Sequence, residues 1–125
     1  MAELGYTVHL AENPNELIIG GKGASLARMI ASGFPVPPAF IVTTAAYAHF
    51  MEEHGLADRI DEVLRDFDPM NFADMETRTQ KIQSLVIGTP IPSVVQEHIL
   101  ESYGGLQAAR DGDSKLQAVS VRSSA

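Results

Sequence analysis

The chain has 125 residues, enough for one domain or a piece of a larger one. Its hydrophobic content, 45%, supports a packed core, and the absence of cysteine excludes disulfides and thiolate metal sites. Lys and Arg number 9 against 16 Asp and Glu, a net charge of −7 that repels phosphate backbones and argues against a nucleic-acid partner.

No apolar run approaches the ~20 residues of a membrane-spanning helix. Met1-Ala2-Glu3 lacks the basic start of a signal peptide, so a cytoplasmic protein with no membrane partner is expected. There is no internal repeat and no low-complexity tract.

In chain order, Tyr6, Val8 and Leu10 alternate with polar residues and predict a short strand. Asn13-Pro14-Asn15 is a turn signal, and Leu17-Ile18-Ile19 then leads into Gly20-Gly21-Lys22-Gly23. A helix is expected from Ala24, with Leu26, Met29 and Ile30 on its inner face and Gly33 as its C′ residue. Pro35, Pro37 and Pro38 favour an extended stretch before the β-branched run Phe40–Thr44.

Thr43 or Thr44 caps the next expected helix, Ala45–His54, which Gly55 stops. Further helices are expected over Leu56–Phe67, from Asn71 or Asp74 to Gly88, and over Ser93 to about Tyr103, where Gly104-Gly105 breaks or bends the chain. The methionines, at helical spacing, are expected in the core, and His98 is expected as a packed side chain. A turn at Asp111-Gly112-Asp113 and a strand over Leu116–Val121 complete the pattern. The whole is α+β: short strands with a helical insert at about 56–110.

Two short stretches suit chemistry. Gly20-Gly21-Lys22-Gly23 stands at the mouth of a helix, where bare backbone amides, the helix dipole and the Lys22 ammonium together suit an anion. The plainer alternative is a glycine turn with a solvated lysine. A Walker-type loop is excluded, because it needs Gly where Glu16 stands and a hydroxyl where Gly23 stands.

Arg122, at the tip of the expected last strand and followed by Ser123-Ser124, offers a planar fork that fits phosphate oxygens; its plainer alternative is a surface residue. His9, His49, His54 and His98 are dispersed without metal-ligand spacing, and acidic runs such as Glu52-Glu53 are expected as solvated helix faces.

Three segments in order form a recognisable set: G-G-K-G-A-S-L-A-R-M (20–29), G-F-P-V-P-P-A-F-I-V-T-T-A-A-Y (33–47) and V-S-V-R-S-S-A (119–125). Over about residues 17–125 the chain resembles the nucleotide-binding domain of the phosphoenolpyruvate synthase and pyruvate phosphate dikinase family, which includes rifampicin phosphotransferase and phenylphosphate synthase. The resemblance implies an ATP-grasp-like fold, binding of ATP and magnesium, and transfer of the β-phosphoryl group to a histidine on a separate domain. It implies phosphate contacts by Lys22 and Arg122, with Gly20 and Gly21 beside them.

It also implies that the magnesium ligands, a second glycine-rich loop and the phosphorylatable histidine lie outside this chain, so no catalytic residue and no metal ligand is assigned here. The chain is then expected to be an incomplete N-terminal part (1–125) of one ATP-binding domain, inactive alone. Its partners are the rest of that domain, a phosphohistidine domain and a small-molecule acceptor. The competing expectations are a non-catalytic interaction module that keeps the fold, and an unrelated α+β domain whose glycines merely turn the chain. Ala39 stands where many relatives have Gly, a change the strand should tolerate.

Overall fold

A computed structural model describes residues 5–12, 15–108 and 119–124. The chain divides into two compact units, Met1–Tyr47 with Ser93–Ala125, and Ala48–Pro92. The helical residues of 56–110 therefore fall in both units, those before Ser93 in the second and those after Pro92 in the first.

The first unit is built on a two-stranded antiparallel sheet of β1 (Thr7–His9) and β2 (Phe40–Val42). The register pairs Thr7 with Val42, Val8 with Ile41 and His9 with Phe40. Both ends are extended by main-chain bonds, Thr43 N–H to Tyr6 C=O (3.0 Å) and Leu10 N–H to Ala39 C=O (3.1 Å). Leu10 turns into a short 3-10 segment and is buried there.

Helix α1 (Glu16–Ala31) lies against β2 and that 3-10 turn, while α5 (Ser93–Ala108) lies against both strands. Leu10, Ile19, Ala24, Ala27 and Ile41 form the buried cluster, with Val8, Ile18, Leu26, Ile30 and Ala39 packed around it. On the α5 side, Thr7 and Ser102 share a hydroxyl–hydroxyl bond of 2.6 Å, and Tyr6 meets His98 edge-on with ring centroids 5.2 Å apart. His98 is thus a packed side chain, as its position on the helix face suggests.

The start and stop signals of α1 act as their chemistry dictates. Asn15 Oδ1 accepts from Leu17 N–H at 2.8 Å. At the other end Gly33, at φ 86°, completes a Schellman motif: its N–H donates to Ile30 C=O and that of Phe34 to Met29 C=O, both at 3.0 Å. Thr43 is the cap of α2 (Thr44–Glu53), accepting from Ala46 N–H while its hydroxyl donates to Gly5 C=O at 2.8 Å.

Three expectations are corrected in this unit. The helix begins at Glu16 rather than Ala24, in two pieces joined at Gly20. Its fully buried positions after the break are small, Gly23, Ala24 and Ala27; of the expected inner residues Leu26 and Ile30 pack against the core, while Met29 is 42% exposed. Helix α5 runs through Gly104-Gly105 to Ala108. Burying Leu106, 7% exposed, contributes roughly 1.5–3 kcal/mol, which offsets about 1 kcal/mol of helix propensity lost at each glycine.

In the second unit α3 (Leu56–Leu64) packs against α4 (Phe72–Gly88). Gly55, at φ 59°, separates α3 from the preceding helix. Asn71 caps α4 through Asp74 N–H at 3.1 Å, and Asp68 Oδ1 accepts from Met70 N–H at 3.0 Å in the turn before it. The expected extension of α3 to Phe67 fails: Asp66 has φ 58°, and the Arg78 guanidinium takes the carbonyls of Val63 (2.9 Å) and Arg65. The same guanidinium bonds Asp74 at 2.7 Å.

Arg78→Met keeps much of the aliphatic stem and removes these bonds. It is expected to lower stability by about 1–2 kcal/mol, discounted for partial exposure, in a urea-unfolding titration. Met70 (78%), in the turn before α4, and Met75 (37%), on a helix that buries no residue completely, are exposed and not core.

The expected turns at 13–14 and 111–113, and residues 116–118 of the expected last strand, lie outside the described residues. Val119–Val121 carry no strand. No described helix is long and apolar enough to cross a membrane.

Candidate functional site

Gly20 decides the geometry of this region. Its φ of 76° and ψ of 172° lie where only glycine is at ease, so the chain turns out of the helix for one residue and re-enters at Gly21. The break gives the second helical piece an N-terminus of its own, formed by Gly21, Lys22 and Gly23. Before the break, the Leu17 carbonyl accepts from the Thr44 hydroxyl at 3.0 Å. The support for the break therefore comes from the start of α2.

The 119–124 segment runs beside this new N-terminus. Lys22 N–H donates to Ser124 C=O at 2.9 Å, and Lys22 Nζ donates to Ser123 Oγ at 2.8 Å. One lysine is held at both its backbone and its ammonium by consecutive serines about a hundred residues away. Arg122 directly precedes Ser123 and is exposed, as Lys22 is. Two residues of extended chain span at most about 7 Å, so the Arg122 and Ser124 Cα atoms are neighbours.

Ser25 Oγ donates to Gly21 C=O (3.1 Å) and accepts from Arg28 Nη2 (3.2 Å), giving a polar line along the exposed side of α1. Ser25 and Arg28 lie off the expected inner face of Leu26, Met29 and Ile30. The signal that would have found them is their i, i+3 spacing, which places them on one face.

The glycines have separate duties. Gly21 is exposed, and a Cβ there would meet only Glu16 Oε1, at 3.9 Å. Gly23 is buried, and a Cβ would come within 2.6 Å of Ile41 Cδ1 and 3.2 Å of Ile19 Cβ. Its role is the close approach of helix to sheet. Gly23→Ala forces Ile41 out of its packed rotamer, and the gain in helix propensity offsets only part of the strain. A net loss of about 1–2 kcal/mol is expected by chemical denaturation.

Comparison with known proteins bears on what this arrangement is for. Residues 16–125 match the family described as pyruvate phosphate dikinase, AMP/ATP-binding domain. The chain belongs to that family. It is 38% identical over 109 residues to a probable phosphoenolpyruvate synthase of Staphylothermus marinus, covering 87% of this chain and 13% of that protein. It is 42% identical over 108 residues to a probable phosphoenolpyruvate synthase of Methanocaldococcus jannaschii, covering 86% of this chain and 9% of that protein.

The phosphoenolpyruvate synthase of Helicobacter pylori is 33% identical over 117 residues, with 90% and 14% covered. The chain thus spans a small fraction of these relatives' length. All three segments that carry the sequence resemblance fall within the matched stretch.

Proposed function

We propose that this chain supplies the phosphate-gripping part of an ATP-binding domain in a dikinase-type phosphotransferase similar to phosphoenolpyruvate synthase. The observation that supports this most is the double engagement of Lys22 by Ser123 and Ser124, which gathers the Gly20-Gly21-Lys22 turn and the Arg122 segment into one exposed place. A transferring phosphoryl group spreads negative charge over its oxygens. An ammonium and a guanidinium stabilise that charge, and the bare backbone at Gly21 lets phosphate oxygens come close.

In this reading Lys22 and Arg122 contact ATP phosphates, with Gly20 shaping the turn and Gly21 leaving room. ATP-grasp architecture, the histidine that accepts the β-phosphoryl group and the final small-molecule acceptor are parts of the proposal supplied by the rest of the protein. In this proposal the magnesium ligands belong to the rest of the protein, and magnesium is assigned no ligand in this chain.

The test is calorimetric titration of ATP, with and without magnesium, against this chain alone and against the whole polypeptide that carries it. Weak or no binding by the chain alone and micromolar binding by the whole are expected. One exposed cationic contact contributes about 1 kcal/mol, whereas micromolar affinity needs about 8 kcal/mol. Undetectable binding by the whole protein would overturn the reading in favour of a non-catalytic interaction module.

A further inference from the structure

We infer that Ser123 is a positioning residue for Lys22, holding its ammonium at the mouth of the second helical piece so that it is already in place when an anion arrives. This rests on the phosphate-site reading above. Lysine ends in a compact charge on a flexible four-carbon stem, and an exposed lysine samples many rotamers. Here the stem is fixed at both ends, by Lys22 N–H on Ser124 C=O at 2.9 Å and by Lys22 Nζ on Ser123 Oγ at 2.8 Å. The two acceptors are adjacent residues, so the backbone bond sets the distance at which the side-chain bond forms.

A hydroxyl suits this position. It accepts from the ammonium through a lone pair and keeps its own proton to donate, so it can hold the cation and still face a phosphate oxygen favourably. A carboxylate would also hold the ammonium but would cancel its charge. The same bond tethers Arg122, one residue earlier, near Lys22. Ser123 thereby holds the Lys22 ammonium without itself carrying charge.

The experiment has two independent arms. In the first, without nucleotide, lysine acylation by a limiting N-hydroxysuccinimide ester is followed by mass spectrometry, with the exposed Lys81 as internal reference. Ser123→Ala should raise the Lys22-to-Lys81 labelling ratio about two- to fivefold, and Ser123→Thr should leave it near the original value.

In the second, ATP affinity of the whole protein is measured. Ser123→Ala should weaken it about three- to tenfold, Ser123→Thr should restore it, and the loss should vanish when Lys22 is already glutamine. An unchanged labelling ratio, or an equal loss in both Lys22 backgrounds, overturns the inference. A changed ratio in a protein that binds no ATP supports the clamp and removes the ATP reading instead.

Discussion

Replacing Lys22 by glutamine is expected to weaken ATP binding by the whole protein about ten- to a hundredfold while leaving stability within about 0.5 kcal/mol. The affinity figure follows from a charge-assisted bond to phosphate, about 1.5–3 kcal/mol, at about 1.4 kcal/mol per decade. The stability figure follows from exposure: the Lys22 side chain makes its described bond to an exposed serine and fills no part of the core. Glutamine keeps the backbone bond to Ser124, so the change removes the ammonium and its bond to Ser123 without altering the main-chain anchor. Calorimetry and a thermal melt on the same sample separate the two effects. Unaltered ATP affinity would remove Lys22 from the phosphate site.

Gly20→Ala is expected to damage both stability and binding. A Cβ at φ 76° and ψ 172° costs about 1–3 kcal/mol if the turn is kept. If the turn is lost, Glu16–Ala31 becomes one unbroken helix, and the amides of Gly21 and Lys22 turn inward to the carbonyls of the preceding turn. Either outcome withdraws an N–H from the Ser124 carbonyl or strains it. Urea unfolding should show a loss of about 1–3 kcal/mol, and ATP affinity should fall in parallel with it. Full stability in this variant would mean that the break at Gly20 is not needed.

Much of the first unit was legible in the sequence because its signals are local. Gly33 and Thr43 do at their positions what a bare Cα or a short polar side chain does at any helix end. The alternation of Val8 and the run at Phe40–Val42 marked both strands. The inner face of α1 was legible at Leu26 and Ile30, which pack against the core, but not at Met29, which is exposed. A helix pressed against Ile41 also turns Gly23, Ala24 and Ala27 inward, and nothing in the helical period reveals how near the neighbour lies.

The helix start was placed too late for a related reason. Glycine discourages helix, and only the pairing of a cap at Asn15 with a single-residue break at Gly20 allows helical turns on both sides of it. Exposure of Met70 and Met75 was hidden too, since apolar spacing predicts an inner face whether or not anything covers it. At the candidate site the residue types could be read, but the bonds from Lys22 to Ser123 and Ser124 span the length of the chain, and no local pattern encodes them.

That span also orders events in time. Joining residues roughly a hundred positions apart carries a closure entropy of about 4 kcal/mol for a flexible loop, reduced as the intervening helices and strands form first. The lysine grip, made by exposed residues, is therefore expected to open early in unfolding. Amide exchange at Lys22 should be among the fastest of the helical amides in the unliganded protein. A nucleotide that slows it would act as a latch on the whole first unit, reporting that synthesis and folding of the intervening polypeptide are finished.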